Sequence, residues 1–322
     1  MIILNNKKLV KAAIAGVSGV GAAYIGTGLL LYSVLLSKRH VNKDITERVL
    51  SVDEKAKFAQ DGIGEDYGAW FVMIEPEEYR LRSSHGEILH AEVIKQKTES
   101  HKWVFIGHGW TNHPSGMSHF AKHFYDMGFN VLLPYLGGHE KSEKKFVSMG
   151  LADRLDIIDW ANYITMLDPD AKICLHGVSM GAATMMMTAG EENLPSSVKC
   201  VIEDCGFTTL YDMGMSIVDT SLHIPPTFPI SAANTVTRVL NGYTLREVSP
   251  IDKIRNSKVP VLFIHGEDDN FVPFRMCGEL YDTARCEKQM LTVPQANHTE
   301  ASLKQPDKYW SAVKEFTDKY LK

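Results

Sequence analysis

From residue 102 to its C-terminus, the chain alternates short apolar runs with stretches of helical periodicity. The runs are KWVFIGHG (102–109), NVLLPYL (130–136), KICLHG (172–177), VKCVIEDC (198–205), VPVLFIHG (259–266) and KQMLTV (288–293). Strands that alternate with helices pair in parallel, and a parallel sheet is covered by helices on both faces, so its strands are apolar throughout. The alternation therefore predicts an α/β fold with a mostly parallel central sheet and helices on both faces.

Two segments depart from this alternation. Residues 206–250 contain IPPTFPI and several apolar helical stretches, and we interpret them as a small helical cap inserted over the sheet. Upstream, AWFVMIE (69–75), YRLRSS (79–84) and ILHAEVIKQ (88–96) are predicted as strands, the last two joined by a turn at His85-Gly86. In such folds ligands bind beyond the carboxyl ends of the strands, so we expect the functional residues there.

The N-terminal region holds 25 residues without a charge, 12–36, which lie between lysines 7, 8 and 11 and the basic residues 38, 39 and 43. About 20 apolar residues cross the hydrocarbon of a bilayer. A cleaved signal peptide has a shorter apolar region that ends in a small-x-small site, whereas this run ends in YSVLLSKR. The sequence therefore predicts a transmembrane anchor over 1–36, a linker with a short helix over 37–66, and the α/β domain over 67–322.

Overall charge and cysteine content exclude some classes of protein. The formal net charge of −5 gives no basic stripe for nucleic acid. Five cysteines without close pairing argue against a disulfide scaffold. His119 and His123 are spaced i, i+4 but lack an adjacent glutamate or a third ligand, so we predict no metal site. Nothing in the sequence indicates a cofactor, and the basic residues on the two sides of the apolar run nearly balance, so they give no membrane orientation.

The strand KICLHG leads into Gly177-Val178-Ser179-Met180-Gly181 and then into the helical stretch MGAATMMM. A sharp turn from strand to helix exposes the serine side chain at the helix N-terminus and crowds its neighbours, which favours glycine at positions 177 and 181. This context predicts Ser179 as a nucleophile.

A serine hydroxyl needs a base to take its proton and a carboxylate to orient that base. In this fold the acid and then the histidine follow the serine along the chain. His298 lies in VPQANHTE, just after the last predicted strand, and is the predicted base. The acid is open at this point, because three carboxylates follow the strand VPVLFIHG and a fourth ends the strand before it: Glu267, Asp268, Asp269 and Asp204.

Acyl transfer also requires donors for the oxyanion of the tetrahedral intermediate. We expect one from the main-chain N–H of Met180, the residue after the nucleophile. The second is expected from the loop after KWVFIGHG, at Trp110 or, as the alternative, Thr111.

Four segments together resemble the α/β-hydrolase superfamily, near the acyl esterases and serine aminopeptidases: GHGWTNHP (107–114), GVSMG (177–181), HGEDDNFVP (265–273) and ANH (296–298). The third fits the family pattern His-Gly-x-x-Asp-x-x-Val-Pro, which implies Asp269 as the acid. The resemblance runs from about residue 67 to the C-terminus. It implies a Ser179–His298–Asp269 triad that hydrolyses carboxylic esters through an acyl-enzyme, without cofactor or metal.

The resemblance leaves the substrate open between a small ester and a short peptide, and the oligomeric state unassigned. A peptidase would need an acidic anchor for the substrate amine, and a non-catalytic binding protein would show a broken triad. RLDIIDW and IEDCGF resemble a bacterial subgroup with an N-terminal anchor and an outward-facing catalytic domain, which implies an extracytoplasmic location. The family segment Asp-x-Arg-Gly-His-Gly-x-Ser is here PYLGGHEKSE, without the arginine and second glycine, so substrate preference is not predicted.

Overall fold

A computed structural model describes residues 3–38 and 67–322, with side chains from residue 19 onward except those of 221 and 222. Residues 39–66, which hold almost all of the predicted linker and short helix, lie outside the described residues.

One eight-stranded sheet organises the domain. Its strands are β1 (Glu77–Arg82), β2 (Ile88–Ile94), β3 (Lys102–Gly107), β4 (Asn130–Pro134), β5 (Lys172–Val178), β6 (Val198–Asp204), β7 (Val261–Gly266) and β8 (Lys288–Val293). They lie in the order β1-β2-β4-β3-β5-β6-β7-β8. The β1–β2 and β2–β4 pairs are antiparallel and the other pairs are parallel. The predicted mostly parallel sheet is confirmed.

Helices cover both faces of the sheet, as predicted. They are α1 (Ile3–Leu35), α2 (Tyr67–Ile74), α3 (Ser118–Asp126), α4 (Asp153–Leu167), α5 (Met180–Ala189), α6 (Leu210–Ile217), α7 (Thr227–Asn241), α8 (Pro250–Ile254), α9 (Arg275–Thr283), α10 (Ala301–Lys304) and α11 (Pro306–Tyr320). Alternate residues of β3 enter two separate cores: Phe105 packs with Trp160 of α4, and Val104 packs with Phe124 of α3 and Phe316 of α11.

One strand prediction was wrong. The segment AWFVMIE was predicted as a strand, but α2 covers it from Tyr67 to Ile74. Phe71 is buried in the core on the α3 face, whereas Val72 and Met73 are exposed. A short apolar run has no periodicity that separates a strand from a helix, and packing against α3 decides its structure here.

The cap segment carries α6 and α7, and α1 packs beside α7. Tyr24 Oη lies 2.9 Å from Thr235 Oγ1, and the Tyr32 hydroxyl donates to Asn241 Oδ1 at 2.8 Å. Leu36, directly after α1, is buried in the core that contains Trp160. Residues from Tyr24 to Leu36 thus contact the folded domain.

Within the described part of the chain, no helix combines the length and apolar character that a membrane crossing requires. The transmembrane anchor over residues 1–36 is not supported by the structure and stays a prediction.

Candidate active site

Ser179 occupies the turn between β5 and α5 with φ 56° and ψ −114°. A non-glycine residue at positive φ is strained, and such strain is found at functional sites. The Ser179 N–H donates to the Asp204 carbonyl at 2.8 Å, which ties the turn to β6. A Cβ on Gly181 would overlap the Gly107 carbonyl, and one on Gly177 would overlap the main chain of Gly181. The crowding predicted around the serine is therefore present.

The structure brings Ser179, His298 and Asp269 into one hydrogen-bonded chain. His298 Nδ1 donates to Asp269 Oδ2 at 2.7 Å, and the Ser179 hydroxyl lies 2.9 Å from His298 Nε2. Asp269 follows β7 and His298 follows β8, so all three residues lie beyond the carboxyl ends of parallel strands. Asn297 joins the two loops, because its Oδ1 accepts from the N–H of Asn270 at 3.1 Å.

Asp269 is held as an anion by its surroundings. Burial alone would raise its pKa, but the neighbouring His298 and His265 rings outweigh burial and hold the pKa well below its usual range. The other carboxylate oxygen, Oδ1, accepts from the N–H groups of Phe271 and Val272 at 2.9 and 2.8 Å. The carboxylate is thus oriented and available to stabilise an imidazolium.

A second histidine touches the same carboxylate. His265 Nε2 donates to the Val272 carbonyl at 2.9 Å and lies 3.2 Å from Asp269 Oδ2. Burial alone would lower the pKa of His265. The contact with Asp269 and the charge of Glu203 outweigh burial, so the pKa is raised overall. No role was assigned to this residue from the sequence. Its place four residues before Asp269 in HGEDD was the available signal.

The other three candidate acids do not bond to His298 in the described structure. Glu267 and Asp268 are exposed, and Glu267 accepts from the Thr292 hydroxyl at 2.7 Å. Asp204 is fully buried and accepts from the Tyr309 hydroxyl at 2.9 Å; burial raises its pKa to about 6. Only Asp269 is placed to orient the imidazole.

The structure separates the two candidates for the second oxyanion donor. The Thr111 N–H donates to His139 Nε2 at 3.2 Å, so it is already engaged. No residue that the structure describes accepts from the main-chain N–H of Trp110 or of Met180. His139 belongs to the segment PYLGGHEKSE, the one that departs from the family pattern, and sequence reasoning gave it no role.

Two groups of potential metal ligands have other roles. Cys205, Asp269 and His298 have ligand atoms within 4.8 Å of one another, but Asp269 and His298 are already hydrogen-bonded within the Ser179 chain. The His123 ring stacks on Trp310 at 4.1 Å, within an aromatic cluster that also holds His119. We assign no metal to either group.

The sequence model of the prolyl oligopeptidase family matches residues 115–322, well over half of the chain. The chain belongs to the prolyl oligopeptidase family. This member of the family is 26% identical to the uncharacterised protein YqkD of Bacillus subtilis over 96% of its own length and 97% of that protein. The region that matches the family model, residues 115–322, contains Ser179, Asp269 and His298 but not Trp110.

Solved structures show the same fold at low identity. An esterase of Pyrococcus furiosus superposes with a TM-score of 0.63 at 19% identity, over 78% of this chain and 95% of that chain. Acylaminoacyl peptidase of Pyrococcus horikoshii superposes with a TM-score of 0.58 at 18% identity, over 80% of this chain and 44% of that chain. The chain is a serine hydrolase with the α/β-hydrolase fold, and its neighbours include both esterases and peptidases.

Proposed function

We propose that the chain hydrolyses carboxylic esters through an acyl-enzyme formed on Ser179. The observation that carries this proposal is the hydrogen-bonded chain from the Ser179 hydroxyl through His298 to Asp269, with distances of 2.9 and 2.7 Å. A non-catalytic binding protein has no need of such a chain, and a broken triad is what that alternative predicts.

Each residue has a defined part in the proposed reaction. Ser179 Oγ attacks the carbonyl carbon while His298 Nε2 takes its proton, and Asp269 stabilises the imidazolium. The main-chain N–H groups of Met180 and Trp110 hold the oxyanion. The imidazolium then protonates the leaving alcohol, and His298 activates a water that releases the acid from Ser179. No metal or cofactor enters any step.

Peptide hydrolysis is the second candidate, because the chain belongs to a family named for a peptidase. A peptidase that recognises a free amine needs an accessible carboxylate beside the nucleophile. Glu203 and Asp204, which end β6 next to the nucleophile turn, are both fully buried, and Asp204 is bonded to Tyr309. Neither of these two carboxylates can therefore bind the amine of an aminopeptidase substrate.

The test is a panel of p-nitrophenyl esters of rising acyl length beside aminoacyl and N-acylated peptidyl nitroanilides, assayed with the full chain. We expect ester turnover that depends on acyl length, with the anilides slower. Ser179→Ala is the control, since loss of a triad serine lowers kcat by about 10⁶. Turnover of the anilides alone would overturn the ester proposal.

We also propose that residues 12–36 attach the protein to a membrane with the hydrolase domain outside the cytoplasm. The uncharged run and the basic residues on both sides of it support the attachment. In bacterial cells that express the full chain, the protein should resist alkaline extraction of membranes and be cleaved when protease is added to spheroplasts. Recovery in the soluble fraction would contradict attachment, and protection from the protease would contradict the orientation.

A further inference from the structure

The outer surface of α1 carries no charged side chain from Gly19 to its end. Its exposed large residues are apolar: Val20 is 63% exposed, Ile25 46%, Leu29 46% and Leu30 64%. A helix that faces water normally places charged or polar side chains opposite its packed face. An uncharged outer face therefore indicates that this surface contacts something other than water.

Helix α7 extends this apolar surface. Val239 is 78% exposed, Leu240 53% and Phe228 44%, and Ile224 just before the helix is 45% exposed. The Phe228 ring contacts the Tyr24 ring edge-on at 5.5 Å, which joins the two surfaces. Of the 15 residues of α7, one is charged, Arg238. We call residues 19–36 and 224–241 the α1–α7 layer.

The distribution of exposed side chains around α1 indicates what covers this surface. Helix α1 packs on α7 at Gly28, where a Cβ would be 2.6 Å from Val236 Cγ2. At about 100° per residue, Leu29, Leu30 and Val20 lie about 100°, 200° and 280° around α1 from this contact, so they cover both sides and the back of the helix. A partner protein covers one side of a helix, whereas lipid covers every side that the protein leaves free.

The charges and the length of the apolar run agree with lipid. Residues 19–36 and 224–241 of the layer contain no acidic side chain and a single basic one, Arg238, which suits a surface that faces lipid. Since Tyr24 to Leu36 contact the domain, 12 residues of the uncharged run, 12–23, precede this contact. These 12 residues span about 18 Å as a helix, short of the roughly 30 Å of hydrocarbon. Residues 24–36 of the run lie against the domain, so they reach the hydrocarbon only if α7 enters the bilayer with them.

We propose that the α1–α7 layer inserts into one leaflet of a lipid bilayer, so that the cap helix as well as the N-terminal helix contacts acyl chains. The end of α1 contacts the loop after β3, which holds the proposed oxyanion donor Trp110. The contact is a hydrogen bond from the Trp110 indole to the Leu35 carbonyl at 3.1 Å. The active site therefore lies at the leaflet surface. Resting on the proposed ester hydrolysis, this position assigns the substrate class as an amphiphilic ester with its acyl chain in the leaflet.

Insertion is tested with an environment-sensitive fluorophore attached at Val239→Cys or Leu240→Cys in the full chain. The chain is reconstituted in vesicles of phosphatidylcholine and phosphatidylglycerol that contain a phospholipid with a nitroxide on its acyl chain. The matched control is Met166→Cys, an apolar position 68% exposed on α4, and the unsubstituted chain corrects for labelling of the partly exposed Cys286.

We expect blue-shifted, nitroxide-quenched emission at positions 239 and 240 and water-like, unquenched emission at 166. Water-like emission at all three positions would overturn the proposal. Energy transfer between labelled copies, with no quenching by the lipid nitroxide, would assign the surface to a second copy of the chain and also overturn it.

The substrate class is tested with the double variant Val239→Glu and Leu240→Glu, whose side chains lie outside the catalytic chain. Hydrolysis of a long-chain ester held in the same vesicles should fall about tenfold, because two charges oppose insertion, while hydrolysis of a soluble acetate ester is unchanged. An equal loss on both esters would contradict the role of the layer. If the native chain hydrolyses no ester, the proposed function fails, while the fluorophores still report insertion.

Discussion

Trp110 donates its indole N–H to the main-chain carbonyl of Leu35 at 3.1 Å, although the two residues lie 75 positions apart. One residue further on, the Val147 N–H donates to the Leu36 carbonyl at 2.8 Å. The end of α1 therefore contacts both the loop that holds Trp110, the proposed second oxyanion donor, and the segment before α4. Helix α1 is a part of the catalytic domain rather than a separable tether.

Removal of residues 1–38 should destabilise the domain and slow its reaction. Leu36 is 2% exposed, and its loss alone removes about 2 kcal/mol of burial, in addition to uncovering α7 and freeing the Trp110 side chain. We expect a lower melting temperature and a lower kcat, measured by thermal unfolding and ester hydrolysis. Removal of residues 1–18 is the control and should leave both close to native. Native stability and turnover in the 39–322 fragment would show that α1 is dispensable.

His265 should act as a positioning residue for Asp269. His265→Leu removes the donor at similar volume, and we expect kcat to fall by about 10- to 100-fold with KM little changed, because the His298 ring loses its fixed orientation. His265→Gln keeps an N–H donor and should recover part of kcat. Steady-state kinetics of both variants gives the comparison. Equal kcat in the native, Leu and Gln proteins would mean that His265 has no such role.

Gly181→Ala should prevent formation of the nucleophile turn. The added methyl group would overlap the Gly107 carbonyl, and overpacking against main chain costs about 3 kcal/mol or more. Gly278→Ala in α9 is the matched control, since its Cβ meets nothing within 4 Å and alanine favours a helix interior by about 1 kcal/mol. Chemical denaturation should show a much lower free energy of unfolding for Gly181→Ala and a slightly higher one for Gly278→Ala. The turn assignment fails if the first variant is as stable as the native chain.

Glu203 should make the domain less stable as the pH rises. Burial raises the pKa of this carboxyl from 4.5 to about 7, so between these values the folded state binds a proton that the unfolded state has released. Its contribution to the free energy of unfolding then falls by up to about 1.4 kcal/mol per pH unit across that window. Glu203→Gln removes this contribution. Denaturation at several pH values should show that the free energy of unfolding depends less on pH in the variant than in the native chain. The same pH dependence in both proteins would contradict the raised pKa of Glu203.

The sequence predicted the parts of the site that follow from chain order. Ser179 and His298 each lie just after an apolar strand, and parallel strands bring their carboxyl ends to one edge of a sheet. Asp269 came from the family pattern, since three neighbouring carboxylates were equivalent by position. His265 lies four residues before Asp269, a local spacing to which no role had been assigned. His139 contacts Thr111 between two loops, which no local spacing encodes. The packing of α1 on α7 is likewise a long-range contact, invisible in the apolar run itself.

Labelling of the full chain with a fluorophosphonate, followed by mass spectrometry, shows whether Ser179 is the nucleophile. We predict one covalent adduct per chain, on Ser179, with none in Ser179→Ala and much slower labelling in His298→Ala. A native chain that takes up no probe, or a Ser179→Ala chain labelled as fast as the native one, would contradict this assignment.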